Sequence, residues 1–385
     1  MSVRSFMFYM PTKVIFKRGS LNEVGRETRS LGKRVLLVTG RRFARQYGYL
    51  DRLSKLMEKE GLVVHIYDKV EPNPSFETVN RGAEYAREHN VDVIVAFGGG
   101  SAIDAAKGIA VLCTQGGKIE DYVYPNMVEG EVLPVVAIPT TCGTGSEVTR
   151  YAVLTDIKRK KKLTVVGYPI IPKIALLDPL VLRHLPSELT AYTALDALSH
   201  ALEAYWSKSS QPISDLVALE SIKVIIKNIE AGYKDPEKRD ALHYASLLAG
   251  IAINAAGTTM IHGVGYYLTA YHNIHHGLAN AMFLPFAFKF NSPVIKEKVM
   301  RLAQYLEIKA SNYEEAANRF FKLLCRLEDA VGIPKSLRDI GISESEIDDI
   351  VKDALTYERN MKNNPRPIDY ESLREIVLEA YSGRP

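Results

Sequence analysis

Between Lys33 and about Asp178, short aliphatic and β-branched runs alternate with amphipathic stretches, the pattern of a parallel sheet flanked by helices. Residues 34–39 (RVLLVT), 63–67 (VVHIY), 91–97 (VDVIVAF), 135–138 (VVAI) and 174–177 (IALL) read as strands, each stopping at Gly, Asp or Pro. Beyond Pro186 the β-branched runs fade and helical periodicity takes over, with Ser187 as an N-cap and a long helix through Ala191 to Trp206. The pattern predicts an α/β domain over residues 1–183 and an all-helical domain over 184–385, meeting at a tight boundary near 180–186. Parallel sheets bind ligands at the carboxyl ends of their strands, so the active site is expected between the halves.

Composition narrows the classes. A chain of 385 residues, 46% hydrophobic and 24% charged, has material for two cores and is not a disordered polymer. Its net charge of +4 is small, and the basic residues are scattered apart from Lys158, Arg159, Lys160, Lys161 and Lys162, which read as a solvated hairpin. Nucleic acid is therefore not an expected partner. No run is apolar enough for a membrane span, and the first residues lack a signal peptide's basic start and cleavage site, so a cytoplasmic location without membrane partners is expected. Three dispersed cysteines, Cys113, Cys142 and Cys325, suit a reducing compartment and match no thiolate zinc pattern.

Two strand ends carry unusual loops. Phe97 is followed by Gly98, Gly99, Gly100 and Ser101, leading into the helical pattern 102–112; such a turn lets backbone amides approach a phosphate. Ser101 and Asp104 resemble a capping box. After Ile138 comes PTTCGTGSE, residues 139–147, rich in hydroxyls and glycines. Either loop alone is compatible with an ordinary tight turn; two on neighbouring strand ends favour a dinucleotide.

The helical half carries the metal-binding pattern. Asp196 and His200 stand four apart and project from one helix face. His262, in the segment 257–268, and His276, immediately before Gly277, complete a set of three imidazoles and one carboxylate, which suits Fe(II) or Zn(II). Taken singly, each histidine is more often structural, and His65, His89, His184 and His243 are read that way. His272 and His275 stay open.

These residues resemble the iron-containing (group III) alcohol dehydrogenase family over nearly the whole chain. The shared motifs are PNPSF (72–76), GGGSAIDAAK (98–107), IPTTCGTGSEVT (138–149), DALSHALEAY (196–205) and HGLANAMFLPF (276–286). The resemblance implies a Rossmann-like dinucleotide-binding domain joined to an all-α metal-binding domain, the dehydroquinate synthase-like fold. It implies oxidation of primary alcohols or reduction of aldehydes with a nicotinamide cofactor, the metal acting as Lewis acid. By position, Asp196, His200, His262 and His276 would bind the metal, and Gly98, Gly99, Gly100 and Ser101 the pyrophosphate. Thr140, Thr141 and Thr144 would line the cofactor cleft, with Asn73 near the adenine end and Lys162 near the nicotinamide ribose. A homodimer or larger homo-oligomer is expected from the same resemblance.

Two positions depart from the family pattern. Gly40, followed by Arg41 and Arg42, stands where many NAD-using members carry an acidic residue, which favours NADP(H); Asp68, at the end of the second strand, keeps NAD(H) open. Tyr266 stands where many relatives carry a further histidine, leaving His272, His275 or a cofactor ribose hydroxyl to relay the proton. The rival readings are a glycerol-dehydrogenase-like or dehydroquinate-synthase-like zinc enzyme and, from another class, a metal-dependent hydrolase.

Overall fold

The computed structural model describes residues 5–385; residues 1–4, which open the first expected domain, lie outside the described residues. Two compact units emerge, Tyr9–Leu185 and Pro186–Pro385, the latter grouped with residues 5–8.

The first unit is built on strands β1 (Lys13–Phe16), β2 (Arg34–Gly40), β3 (Val63–Val70), β4 (Val93–Gly98) and β5 (Val135–Pro139), a hairpin of β6 (Tyr151–Asp156) and β7 (Lys161–Val166), and β8 (Ile174–Leu177). Six of them form a parallel sheet in the order β1-β8-β5-β4-β2-β3. Helices α1 (Tyr49–Glu58), α2 (Phe76–Glu88) and α3 (Gly100–Gln115) cover it. Val35 and Leu37 of β2 pack with Val93, Val95 and Phe97 of β4 and with Leu50 and Leu53 of α1. Leu36, Val38, Ile94 and Ala96 point the other way, onto Val79 and Ala83 of α2 and Ile109 of α3. With both faces buried, the strands read as unbroken aliphatic runs.

The chain leaves β2 for the edge strand β3 and returns to β4 on the other flank of β2. Strand order therefore reverses between β2 and β4, and the carboxyl ends of those strands open a crevice there.

Several details differ from expectation. β1 lies at the sheet edge and is only four residues long with partly exposed side chains, so its alternation is too weak to read. The basic run does form the tip of a hairpin, with Lys160 in the left-handed region (φ 51°), but Lys162 is inside β7, paired with Thr155, and buried. The capping box at Ser101 does not form: α3 starts at Gly100 with Gly99 as N-cap. Asp104 instead accepts from the Ser146 hydroxyl at 2.5 Å and the Val153 amide at 2.9 Å.

Lys107 ties α3 to the second loop. Its fully buried ammonium donates to Ser146 Oγ (2.8 Å), Thr149 O (2.9 Å), Thr149 Oγ1 (3.2 Å) and Tyr151 O (2.7 Å). Burial pushes its pKa down to about 8, against the pull of Asp104 and Glu147.

In the second unit, α4 (Ser187–Trp206) is buried along almost its whole length, so it lacks an amphipathic stripe. It begins one residue earlier than a Ser187 cap requires: Ser187 is the first helical residue and Pro186 the N-cap. Helices α5 (Pro212–Lys234), α6 (Asp240–Ala256) and α8 (His276–Ala281) pack on α4, and α7 (Met260–His272) packs on α8. The described residues of this half contain no strand. No single helix there is long and apolar enough to cross a membrane; the apolar pair α6 and α7 bends by 111°.

Replacing Lys107 by Met keeps the length but leaves its oxygen partners and Asp104 uncompensated, so the variant is expected to lose about 3 kcal/mol of stability. A urea-denaturation midpoint equal to that of the wild type would contradict the anchoring role.

Candidate metal centre and cofactor cleft

Asp196 and His200 lie four apart on α4, and His262 is the third residue of α7. His276 opens α8, capped by His275, whose Nδ1 accepts from the Gly277 amide at 3.2 Å. At Gly277 a Cβ would stand 2.1 Å from the Tyr192 carbonyl, so α8 reaches α4 only with glycine there. Asp196, His200 and His262 are 2%, 5% and 3% exposed. Among the described residues, potential metal donors converge within 4.8 Å at these three.

The separations lie on either side of those expected for ligands around one ion. His200 Nε2 and His262 Nε2 are 2.8 Å apart, and Asp196 Oδ1 stands 3.7 Å from His262 Nε2 and 3.9 Å from His276 Nε2. Ligand atoms around a tetrahedral ion with bonds of ~2.1 Å are about 3.4 Å apart. Two imidazole nitrogens at 2.8 Å need a proton or cation between them. Burial would raise the Asp196 pKa, but His200, His276, His262 and the Asn280 amide outweigh it and hold the carboxyl at about 2. Burial likewise opposes charge on His262, and Glu203 and Asp196 overcome it to raise the imidazole's pKa.

Two residues that sequence reasoning passed over complete the centre. Asn280 turns its NH2 toward Asp196 Oδ1 (2.8 Å), His262 Nε2 (3.2 Å) and His276 Nε2 (3.2 Å). Its own Oδ1 is buried without a hydrogen-bond partner among the described residues. The donors thus draw an electropositive group into their midst despite an orphaned acceptor that costs about 1–3 kcal/mol. That donor set fits a divalent cation. Glu203, fully buried, bonds His262 Nδ1. Helical spacing carried both signals: Glu203 follows Asp196 by seven residues, and Asn280 follows His276 by four.

In the first unit, a cleft of about 470 Å³ lies at the β2/β4 switch point. Gly40, Gly98, Gly99, Ser101 and Thr140 line it; Gly100, Thr141 and Thr144 do not. A Cβ on Gly99 would meet Thr141 Cγ2 at 3.0 Å, and one on Gly100 would meet Thr144 Cγ2 at 2.6 Å. These glycines therefore make room for the second loop. A larger hollow of about 650 Å³, walled by Phe286, Phe288 and Leu378, contains none of the candidate ligand or cofactor residues.

Three expectations are corrected. Lys162 Nζ donates to Asn73 Oδ1 at 2.7 Å, so these two cannot serve opposite ends of a dinucleotide. Asp68 lies inside β3, its carboxylate held by Arg45 at 2.5 Å and Lys69 at 3.3 Å, and it does not line the cleft. Glu71 lines it instead, accepting from the Ser75 amide (2.8 Å) and the Thr78 hydroxyl (2.7 Å), with Arg41 Nη2 at 3.5 Å. His272, read from the sequence as a candidate proton relay, stands apart from the candidate ligands: it ends α7, about 15 Å along the helix from His262, with Nε2 2.7 Å from Glu346 Oε2. The remaining histidines are packed elsewhere, His184 on Tyr47, His65 on His89, and His243 inside α6.

Residues 11–179 match the family model described as iron-containing alcohol dehydrogenase, and residues 190–381 match that of the family's C-terminal part. The chain belongs to the iron-containing alcohol dehydrogenase family. Among curated relatives, the NAD-dependent methanol dehydrogenase of Bacillus methanolicus is 33% identical, over 97% of this chain and 99% of that protein. The NADPH-dependent butanol dehydrogenase of Clostridium saccharobutylicum is 32% identical, over 98% of each. The crystal structure of a 1,3-propanediol oxidoreductase superposes with a TM-score of 0.94 at 34% identity, over 98% of this chain and 100% of that one. As a member of the family the chain is a nicotinamide-dependent alcohol dehydrogenase, an oxidoreductase. In the structure, Tyr266 is a buried aromatic neighbour of the candidate ligands: its ring stacks on His276 at 5.6 Å and meets Tyr357 at 4.8 Å.

Proposed function

We propose that Asp196, His200, His262 and His276 hold one divalent ion, Fe(II) in keeping with the family, in an enzyme that interconverts primary alcohols and aldehydes with NADP(H) in preference to NAD(H). The observation that carries the metal reading is the convergence of buried donors on the Asn280 amide. A bound ion would supply Lewis acidity that lowers the pKa of an alcohol hydroxyl, and the nicotinamide would supply the hydride acceptor.

The protein's own groups prepare for that chemistry. Asp196 brings a full negative charge, which offsets the ion in a site where water is largely excluded. His276, with its side chain 25% exposed, marks the side from which a substrate oxygen can approach. Tyr266 covers the His276 ring and limits water there.

For the cofactor, Arg41 and Arg42 line the cleft beside Gly40. Arg41 Nε is fastened to the Lys69 carbonyl at 3.1 Å, which holds its guanidinium at the ends of β2 and β3. Glu71 already accepts hydrogen bonds from Ser75 and Thr78, and its charge faces Arg41. The two guanidinium groups suit a 2′-phosphate better than a bare ribose, and the Glu71 carboxylate beside them opposes it. The finer assignment of Gly40, Gly98, Gly99, Ser101 and Thr140 as cofactor contacts belongs to the same proposal, and Asn73 and Lys162 enter it as one hydrogen-bonded unit.

His276→Ala is expected to remove both metal retention, measured by elemental analysis after anaerobic purification, and turnover; a variant that keeps one ion per chain would contradict the ligand assignment. At Gly40 a new Cβ would meet only the Val70 carbonyl, at an ordinary 3.7 Å. Gly40→Asp should therefore fold normally and shift the NADP/NAD ratio of kcat/KM toward NAD by about tenfold or more. An unchanged ratio would count against the cofactor preference.

A further inference from the structure

Glu203 belongs to none of the proposed ligands, yet it is fully buried on the helix that carries two of them. Its Oε1 accepts from the Thr259 amide (3.0 Å), the Thr259 hydroxyl (2.7 Å) and the Ile261 amide (2.8 Å). Thr259 is the N-cap of α7 and gives that helix no side-chain cap of its own, so a carboxylate from α4 serves its exposed amides. Trp206 Nε1 donates to the Thr259 hydroxyl at 3.1 Å and fixes the same corner. With Oε1 saturated, Oε2 is left facing His262 Nδ1.

A carboxylate only accepts, so the proton between them belongs to His262 Nδ1. The Nε2 lone pair of the ring then faces His200, Asp196 and Asn280. We infer that Glu203 is a positioning residue of the metal centre: it fixes both the place of His262, through the start of α7, and its tautomer, through Nδ1. This rests on the reading that His262 binds the ion. Carboxylates placed behind a ligating imidazole are worth 10–100-fold in metal affinity in general.

Glu203→Gln separates the two duties. The amide oxygen can keep the three bonds at Oε1, but the NH2 would confront Nδ1–H, and relief by moving the proton to Nε2 blocks the lone pair. The Zn(II) dissociation constant of metal-depleted protein, read by competition with a chromophoric chelator, is expected to rise about 10–100-fold in this variant. The urea midpoint of the metal-free variant should stay near that of the metal-free wild type. The double variant with His262→Ala should bind no more weakly than His262→Ala alone, because Glu203 acts through that ring. Wild-type affinity in Glu203→Gln, or losses that multiply in the double variant, would overturn the inference. Should Glu203→Gln fail to fold, Thr259→Val, which removes one donor to Oε1, is expected to weaken Zn(II) by roughly 2–10-fold; unchanged affinity there would overturn it equally. A wild-type chain that takes up no Zn(II) or Fe(II) instead removes the metal reading itself.

Discussion

The helical unit depends on one electrostatic constraint: the Asp196 carboxylate is buried at 2% exposure and still ionised. A buried anion is stable only beside compensating positive charge or a full set of donors. The Asn280 amide donates to Asp196 and three imidazoles surround it, His200 from α4 itself, His262 from α7, and His276 together with Asn280 from α8. The close approach of α8 at Gly277, the start of α7 held by Glu203, and the uninterrupted burial of α4 all serve that end. A divalent cation meets the same demand more completely than any of the side chains.

The α/β unit obeys a different constraint, the closeness of two loops at a topological switch point. Glycines at the start of α3 take the Thr141 and Thr144 side chains against their backbone, and Lys107 ties α3 to residues 146–151 from behind. The cleft keeps its shape because both loops are anchored to one helix. Its charge comes from the residues just after β2 and β3, where Arg41 and Glu71 face each other.

Most of this architecture was legible in the sequence because its signals are periodic. Strands buried on both faces read as aliphatic runs, and the helical half reads by its lack of them. The ligand candidates Asp196, His200, His262 and His276 came from spacing and from the family motifs, and the structure brings their side chains together. What escaped was the tertiary pairing of polar groups. Glu203 and Asn280 look like ordinary helix polar residues until α7 and α8 are placed against α4. The contact between Lys162 and Asn73 joins positions 89 residues apart, which no local pattern encodes. The partners of Asp68 and His272 escaped for a related reason: each is a charged group, Arg45 or Glu346, supplied from elsewhere in the chain. The edge strand β1 was too short to show alternation.

The central claim is that the buried donors form a metal centre on which alcohol chemistry depends. Its most direct test is metal depletion of the wild-type chain by a chelator under anaerobic conditions, followed by titration with Fe(II) while NADPH oxidation by an aldehyde is followed at 340 nm. The account predicts a depleted protein that retains its fold but turns over negligibly, with activity returning in proportion to Fe(II) and saturating at one ion per chain. Full turnover by a demonstrably metal-free protein would contradict it.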